Sequence, residues 1–312
     1  MGKETAKKYA VIDIGTNTIK VKIAKANVHD AFEEILYKDF PSGLGTSLDK
    51  DSLIDVSGLQ PCYDALKKIK IILSENNVHK YECIATHALR VARNQDLVIN
   101  SIKLQIGIDV NVITGEEEVR LSMSVIMLDH PEQDNFAVIN VGGGSTELGI
   151  HSNEKEQLFI FDFGAVNIFT KHFQEAGDND SAISEVKKMI TAAFKIKLSG
   201  AVPSISQVFS MGGSIINTGY ILNKDKKRDF KKVNKLEIKE SQLYSLIEML
   251  RSSDESQIKK ITGMDEQRAA TLLPGILVHY TLLKLLNKSS LVVSTRSISD
   301  AILYKMILKD RE

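Results

Sequence analysis

Three glycine-rich clusters in the sequence could bind an anion through main-chain N–H groups. The stretches "DIGTNT" (13–18), "NVGGGST" (140–146) and "SMGGS" (210–214) each include or follow a short apolar run. Glycine has no side chain to obstruct a ligand, so the N–H groups of such turns can converge on a phosphate. If the third cluster begins a helix, the helix dipole adds to the attraction. We therefore predict phosphate binding at these turns.

Charged side chains near these turns could act on a bound phosphate. Asp13 and Glu147 lie in or beside the first two turns, where a metal ion or an attacking water would bind. The stretch "GEEEVR" begins a predicted helix; its first two glutamates suit the helix dipole, and Glu118 is the candidate general base. Arg90 and Arg93, in "THALRVARN", follow an apolar run and suit phosphate recognition.

The elements that would position these residues are those of an α/β protein. "KYAVIDIG" and "TIKVKIAKA" predict a hairpin, "LIDVSGLQPCYDALKKIKIILSENNV" a helix, and "YECIATHALR" a buried strand. "VNVITGEEEVRLSMSVIML" predicts a strand and then a helix, with Thr114 and Glu117 at capping-box spacing. Strands that alternate with helices indicate an α/β fold.

The second half of the chain continues in the same way. A helical region covers about 180–198, strands are predicted at "QVFSMGGS" and "LVVS", and helices at "DEQRAATLLPGILVHYTLLKLLN" and "SDAILYKMILK". We expect the Pro274-Gly275 pair to break or bend the first of these two helices.

The sequence contains an internal repeat. "VIDIGTNTIKVKI" (11–23) and "VINVGGGSTELGI" (138–150) share one template, in which Asp13 matches Asn140 and Thr18 matches Ser145. The offset is a constant 127 residues (140 − 13), which is the size of a domain. We therefore predict two related domains, with the turn-rich "HPEQDN" (130–135) at their boundary.

Composition excludes several classes of protein. Lys plus Arg and Asp plus Glu both number 40 among 312 residues, so no overall positive field attracts nucleic acid or an anionic membrane. The two cysteines, Cys62 and Cys83, lack metal-ligand spacing and are expected to be small buried hydrophobes in a reducing compartment. The chain shows no signal-peptide or membrane-spanning segment, and we expect a cytoplasmic protein.

One segment is strongly basic. Residues 224–235 carry seven Lys or Arg side chains against Asp225 and Asp229. Such runs are most often solvated loops. If the substrate is a long polyanion, the segment would instead line its path by charge attraction.

The motifs together resemble one known family. "DIGTNTIK", "THALRVARN", "ITGEEEVRL", "GGGSTEL", "MGGS" and "ITGMDEQRAATLLPGI" occur in the order seen in the exopolyphosphatase/guanosine pentaphosphate phosphohydrolase family. The chain resembles the short form, without the C-terminal helical domain. The resemblance implies two ribonuclease-H-like domains of the actin, hexokinase and Hsp70 ATPase superfamily flanking a cleft, with the last helix, from about Arg296, packed on the first domain. The expected domains are 1–129 with 296–312, and 130–295.

The resemblance also implies an activity. Family members remove terminal phosphate from inorganic polyphosphate or from the 5′ end of guanosine pentaphosphate, commonly with Mg²⁺. Glu118, directly before "VR", falls on the family's base. The metal site would include Asp13 and Glu147, with Asn140 a weaker candidate. The predicted phosphate-binding residues are Gly15, Thr16, Asn17, Thr18, Lys20, Arg90, Arg93, Gly143, Gly144, Ser145, Thr146, Gly212, Gly213 and Ser214.

Four departures from the family pattern concern the grip on phosphate and metal. Asn140 stands where the family usually has Asp, which removes one negative charge and should lower metal affinity. Lys20 stands where Arg is usual and loses bidentate geometry. "KDFPSGLG" lacks an expected Arg, and "ISDA" replaces an "REG" element.

Three functions stay open at this point. The leading hypothesis is a phosphoanhydride hydrolase that prefers inorganic polyphosphate, with guanosine pentaphosphate as the alternative substrate. A regulator that binds polyphosphate, guanosine pentaphosphate or guanosine tetraphosphate with little turnover is the second, and an ATP-using kinase of the same superfamily the third. A homodimer is an assembly left open; neither nucleic acid nor membrane is expected as a partner.

Overall fold

The protein folds into two compact units. The structure, a computed structural model, describes residues 7–27, 32–49, 51–174, 178–198 and 202–310. Its contacts divide the chain into a first unit, Met1–Leu121 with Ile298–Glu312, and a second unit, Ser122–Ser297. Each unit has its own hydrophobic core. The domain boundaries expected at 129 and 296 remain a prediction.

The first unit is built on a five-stranded sheet in the order β3-β2-β1-β4-β5. Its strands are β1 (Lys8–Ile14), β2 (Thr18–Ala26), β3 (Phe32–Pro41), β4 (Lys80–Ala85) and β5 (Asn111–Val112). The first three are antiparallel, whereas β4 lies parallel to β1 and β5 parallel to β4. β1 is nearly all buried, which explains its continuous apolar run.

Five helices belong wholly or in part to the first unit before the chain leaves it. They are α1 (Leu44–Ser47), α2 (Gln60–Glu75), α3 (His87–Val91), α4 (Gln95–Ile106) and α5 (Gly115–Asp129), with a 3₁₀ turn at Val56–Leu59. The single strand predicted for "YECIATHALR" is wrong in its second half, because β4 ends at Ala85 and α3 follows. A short apolar run cannot distinguish a buried strand from a buried helical turn.

The sheet of the second unit has the order β10-β11-β9-β6-β7-β8. Its strands are β6 (Phe136–Val141), β7 (Thr146–Ser152), β8 (Lys155–Phe161), β9 (Gln207–Met211), β10 (Glu237–Lys239) and β11 (Ser290–Val293). From β8 to β11 the order and the strand directions repeat those of the first sheet from β3 to β5. The repeated hairpin in the sequence is therefore the start of two sheets of the same topology.

The helices of the second unit surround one central helix. They are α6 (Ala165–Ile168), α7 (Asn179–Lys197), α8 (Gly213–Leu222), α9 (Phe230–Val233), α10 (Glu240–Arg251), α11 (Glu255–Lys259) and α12 (Ala269–Leu285), with a π-helical turn at Phe169–Phe173 and a 3₁₀ turn at Glu266–Arg268. Of the break or bend predicted at Pro274-Gly275, the break is wrong, since α12 runs without interruption through Pro274, and the bend stays a prediction. Burial on nearly every side supports α12, and Gly275 lets Ser214 approach it closely.

A buried histidine joins α12 to two neighbouring elements. His279 is fully buried; its Nδ1 lies 2.6 Å from Ser210 Oγ on β9, and its Nε2 lies 3.2 Å from Ser214 Oγ on α8. Burial lowers the pKa of His279 to about 3. The imidazole is therefore neutral in the folded protein at neutral and mildly acidic pH.

This histidine makes the second unit sensitive to acid. Because the unfolded imidazole has a pKa of 6.5, the unfolded state binds the extra proton between pH 6.5 and about 3. Stability is complete above pH 6.5 and should fall by about 1.4 kcal/mol per pH unit below it. Urea unfolding at pH 7.5 and 4.5 tests this. The loss between the two pH values should be about 2–3 kcal/mol smaller for His279→Gln than for the wild type; equal losses would contradict it.

The last helix, α13 (Ile298–Lys309), belongs to the first unit. Asp300, in the "ISDA" element, accepts two hydrogen bonds from the buried Lys22 ammonium on β2 at 2.9 and 2.8 Å. Burial disfavours this ammonium, but Asp300 and Glu34 outweigh it and raise the pKa of Lys22. The unusual "ISDA" sequence thus supplies the partner of a buried lysine.

Two expectations from composition can be compared with the structure. Cys62 and Cys83 are free and buried, and burial raises the pKa of the Cys62 thiol to about 12, as expected for small hydrophobic residues. Within the described residues, no helix combines the length and the apolar character needed to cross a bilayer.

Candidate functional site

The first predicted phosphate-binding turn joins β1 to β2 and is held from one side. The carbonyl of Thr16 accepts a hydrogen bond from Gly45 N at 2.8 Å and another from Ser42 Oγ at 2.7 Å. Both donors come from the segment after β3. A trans peptide places its N–H opposite the preceding carbonyl, so the N–H of Asn17 points away from that segment.

The side-chain hydroxyl of Thr16 is a second notable feature of this turn. The residue is only 8% exposed, and within the described part of the chain its Oγ1 has no hydrogen-bond partner. Leaving such a group unsatisfied costs about 1–3 kcal/mol. The N–H of Gly15 is used within the turn, donating to Thr18 O at 3.0 Å. Among the described residues, the Thr16 hydroxyl is therefore an unsatisfied buried polar group beside the predicted phosphate-binding turn.

Asp13 and Lys20 face each other across the same hairpin. They are register partners of β1 and β2, and Lys20 Nζ lies 3.7 Å from Asp13 Oδ2. Asp13 is 5% exposed; burial raises the pKa of its carboxyl, although Lys20 opposes that shift. One cation at this distance does not offset the loss of hydration. The lysine found in place of the family's arginine is thus directed in part at Asp13.

Glu118 lies in the first turn of α5 and is held by an arginine. The predicted capping box before it is confirmed: Thr114 N donates to Glu117 Oε2 at 2.7 Å, and Glu117 N donates to Thr114 Oγ1 at 3.1 Å. Glu118 is 6% exposed, and its Oε2 accepts from Arg90 Nη1 at 2.9 Å. The guanidinium also donates to Ile113 O at 3.2 Å, which fixes its position.

The surroundings of Glu118 make it a stronger base. Burial raises the pKa of its carboxyl, Arg90 lowers it, and the nearby Asp13 carboxylate raises it again, with a net upward shift. A general base works best when its pKa lies near the working pH. The structure therefore brings Asp13, Lys20, Arg90 and Glu118 into one electrostatic cluster within the first unit.

The arginine sets the pH dependence of this base. If Glu118 must be ionised to act, activity should rise with pH through a midpoint above the ordinary value of 4.5. Since Arg90 lowers the pKa of Glu118, Arg90→Gln should move that midpoint to higher pH. The pH profile of kcat/KM tests this, with Arg93→Gln as the matched control. A midpoint that stays in place in the Arg90 variant would contradict the assignment.

Arg93 is placed apart from this cluster. Helix α3 ends at Val91, and Arg93 follows it with an exposed side chain and with its N–H donating to Ser52 O at 2.8 Å. The spacing of the two arginines suggested a pair, but Arg90 is half-buried beside Glu118, whereas Arg93 is exposed beyond the end of α3.

The second turn, between β6 and β7, shows the same construction in more detail. Gly142 O accepts from Ala165 N at 2.9 Å, and Gly143 O accepts from Val166 N at 2.8 Å. Gly144 O accepts from Asn167 Nδ2 at 2.8 Å. Three successive carbonyls thus point to α6. The three N–H groups that follow them, on Gly143, Gly144 and Ser145, therefore point to the opposite side, where an anion could bind.

Two residues of this arrangement were not predicted from the sequence. Gly164 must be glycine, because a Cβ built on it would lie 2.6 Å from the carbonyl carbon of Gly143. Asn167 accepts from Gly164 N at 2.6 Å through its Oδ1 while its amide group donates to the turn. A sequence signal that could have revealed Gly164 is that a glycine follows the third strand of each unit in chain order, Gly43 after β3 and Gly164 after β8.

The polar residues of the second turn are largely bonded to one another. Glu147 is 1% exposed; its Oε1 accepts from Ser145 Oγ at 2.5 Å, and its Oε2 accepts from Asn140 Nδ2 at 3.3 Å. Thr146 is buried and donates its hydroxyl to Phe163 O at 2.7 Å. Asn140 therefore acts as a hydrogen-bond donor to Glu147, a role that an ionised Asp could not fill.

Restoring the family's aspartate tests this role. Asn140→Asp would place a half-buried carboxylate beside the buried Glu147, and each of the two charges disfavours ionisation of the other unless a cation is present. We expect thermal stability to fall in EDTA and to be recovered with Mg²⁺ to a greater extent than in the wild type. Asn153→Asp, at an exposed position after β7, is the control. The same response to Mg²⁺ in all three proteins would contradict the interpretation.

The third cluster begins a helix, as predicted. Gly212 has a φ of 103°, and a Cβ on it would lie 2.4 Å from Val141 O at the end of β6. The N-terminus of α8 is thereby packed against the strand that leads to the second turn. The guanidinium of Arg268 lies directly over Gly213, where a Cβ would come 2.1 Å from its Nη1.

The described residues contain no group of three or more His, Cys, Asp or Glu side chains arranged to hold a metal ion by themselves. Asp13 and Glu147 each offer buried carboxylate oxygens in their own unit. Mg²⁺ is commonly bound by one or two carboxylates together with water and the phosphates of a substrate. The residues present therefore fit an ion that binds with a phosphate rather than alone.

Sequence comparisons match this chain to one family of known proteins. The model of the Ppx/GppA phosphatase family matches residues 23–310. A guanosine-5'-triphosphate,3'-diphosphate pyrophosphatase of Aliivibrio fischeri is 22% identical over 96% of this chain and 59% of its own length. A bifunctional 3-dehydroquinate synthase/phosphatase of Fusobacterium nucleatum is 30% identical over 53% of this chain and 26% of its own length. The chain thus spans about six-tenths or less of the length of these relatives.

Solved structures show the same fold. An exopolyphosphatase from Cytophaga hutchinsonii has a TM-score of 0.86 and 24% identity, covering 97% of this chain and 98% of its own. The Aquifex aeolicus Ppx/GppA family member has a TM-score of 0.83 and 21% identity, covering 99% and 100%. The expected α/β fold class is confirmed, with two units that are each built on a mixed sheet of the same topology.

Proposed function

The chain belongs to the Ppx/GppA phosphatase family, and on that premise we propose that it releases orthophosphate from the end of inorganic polyphosphate. The observation that carries this proposal is the buried carboxylate of Glu118, which Arg90 holds at 2.9 Å and whose pKa is raised. A buried base of raised pKa beside a cation suits the activation of water for attack on phosphorus.

In the proposed reaction, Glu118 accepts a proton from water as the water oxygen attacks the terminal phosphorus. The bond between that phosphorus and the bridging oxygen breaks, and its electron pair leaves with the shortened chain. In the first unit, the Asn17 N–H, the Thr16 hydroxyl and the Arg90 guanidinium would stabilise negative charge on phosphate oxygens. In the second unit, the N–H groups of Gly143, Gly144 and Ser145 offer donors of the same kind. Phosphoryl transfer depends mainly on such positioning and charge stabilisation.

A divalent cation is part of this proposal. Asp13, within the first unit, and Glu147, within the second, each offer a buried carboxylate of the kind that Mg²⁺ prefers, and Asn140 offers at most a neutral amide oxygen. When bound, the ion would neutralise phosphate charge. The raised pKa of Asp13 supports this role, because an uncompensated buried carboxyl gains from a nearby cation.

Guanosine pentaphosphate is the second candidate substrate. Relatives named guanosine-5'-triphosphate,3'-diphosphate pyrophosphatase, after the systematic name of guanosine pentaphosphate, align with 96% and 97% of this chain. It carries the same terminal phosphoanhydride as polyphosphate, so the chemistry proposed for Glu118 applies to both.

The test measures orthophosphate release from tripolyphosphate, long-chain polyphosphate and guanosine pentaphosphate, with Mg²⁺ and with EDTA. We expect Mg²⁺-dependent release without any acceptor, fastest from polyphosphate. Faster release from guanosine pentaphosphate would select the second substrate. Thermal stabilisation by these ligands without release would identify a binding protein and contradict the proposed hydrolase.

A further inference from the structure

The second unit carries a concentrated positive charge on a chain whose net charge is zero. The basic segment, residues 224–235, follows α8 and contains seven Lys or Arg and two Asp residues. All seven basic side chains are exposed. The charge is therefore displayed at the surface of the unit.

The backbone of the basic segment has a defined shape. Asp225 is 5% exposed and accepts from Asp229 N at 2.8 Å and from Lys227 N at 3.3 Å, and its own N–H donates to Tyr220 O at 2.8 Å. Asp229 in turn accepts from Lys231 N at 3.0 Å and caps α9. Both acidic residues of the segment are thus used to hold its backbone.

The segment is connected to the glycine cluster at the start of α8. Arg228 Nη1 lies 3.0 Å from Asp265 Oδ1, and Arg268 Nε lies 3.4 Å from the other oxygen of the same carboxylate. The Arg268 guanidinium lies over Gly213. A series of contacts within one unit therefore joins the predicted phosphate-binding turn to the basic segment.

Several lysines of the segment remain available to a ligand. Lys232 is paired with Asp225 at 3.4 Å, and Arg228 with Asp265. Within the described ranges, no carboxylate lies at ion-pair distance from Lys226, Lys227 or Lys231. These three ammonium groups belong to a segment whose backbone is already held by hydrogen bonds. A ligand would therefore bind to a positive surface that exists before it arrives.

We propose that the basic segment, within the second unit, is a binding site for a stretch of inorganic polyphosphate chain. This inference rests on the proposed function and makes the protein selective for long chains over tripolyphosphate and guanosine pentaphosphate. Lysine offers mobile point charges rather than a fixed fork, which suits a flexible chain of repeated phosphates. The segment contains a single aromatic residue, Phe230, and therefore lacks the series of stacking platforms used for single-stranded nucleic acid.

The test compares a triple variant, Lys226→Gln with Lys227→Gln and Lys231→Gln, with a control that removes three exposed lysines elsewhere in the unit. The control is Lys155→Gln with Lys188→Gln and Lys195→Gln. For the first variant we expect KM for long-chain polyphosphate to rise about tenfold, with kcat unchanged and with tripolyphosphate kinetics unaltered. The control should behave as the wild type, and both should unfold at the wild-type temperature.

Direct binding separates failure of this inference from failure of the proposed function. If no substrate is hydrolysed, the proposed function fails, and the Kd of fluorescently labelled long-chain polyphosphate still decides the inference, with the same weakening expected in the triple variant. The assignment would be overturned if the triple variant bound long and short polyphosphate chains equally more weakly, or if it bound both as the wild type does. It would also be overturned if the variant lost binding to a single-stranded RNA while its binding of polyphosphate stayed intact.

Discussion

Glu118→Gln is expected to lower kcat for orthophosphate release by about 10²–10⁴-fold with little change in KM. The amide keeps the shape of the side chain and can still contact Arg90, but it cannot accept a proton from water. Orthophosphate release at saturating substrate, with folding checked by thermal unfolding, measures the effect.

Glu116→Gln provides the matched control. Glu116 lies in the same first turn of α5 but is exposed, and its replacement should leave kcat within about twofold of the wild type, because removing an exposed charge there alters only a screened interaction. A loss of similar size in both variants would mean that the negative charge of the helix start, and not a base, supports the reaction.

Gly164→Ala is the second change with a large expected effect. The new Cβ would lie 2.6 Å from Gly143 C and 2.7 Å from Gly142 O, and these are backbone atoms that cannot rotate away. We expect a loss of about 1–3 kcal/mol in the free energy of unfolding, together with weaker phosphate binding as the turn is displaced. Chemical denaturation and the KM for tripolyphosphate measure the two effects.

Asp162→Ala, on the exposed side of the same connection, is the control for this variant. It should preserve both stability and KM. If Gly164→Ala weakened the fold but left phosphate binding intact, the turn between β6 and β7 would not be a binding element.

The parts of the fold that were predicted correctly depend on local chemistry. The two hairpins follow from an apolar strand, a glycine turn and a second strand, and the start of α8 from the glycines of "SMGGS". The capping box of Thr114 and Glu117 is equally local. In each case the residues that determine the structure lie within a few positions of one another.

The residues that hold the turns depend on contacts between distant parts of the chain. In the first unit the turn is held from the segment after β3, and in the second unit from the segment after β8. β3 has ten residues and β8 has seven, so no constant offset aligns these two segments. The constant offset of 127 residues that aligned the hairpins therefore does not align Gly164 with Gly43, the glycine that follows β3.

The roles of the departures from the family pattern could also not be read from the sequence. Asn140 donates to Glu147, and Asp300 pairs with Lys22, which lies 278 positions away. Such partners become evident only when the chain is folded, because a buried polar group is stable only beside a specific complementary one.

The way the second turn is anchored bears on how freely this protein can vary. Its proposed phosphate donors are N–H groups, which every residue except proline possesses, and no single side chain encodes them. Their direction is fixed by the atoms of α6 that bind the opposite carbonyls. Mutational tolerance should therefore be high for side chains that border the phosphate and low at Gly164 and Asn167, which lie behind it.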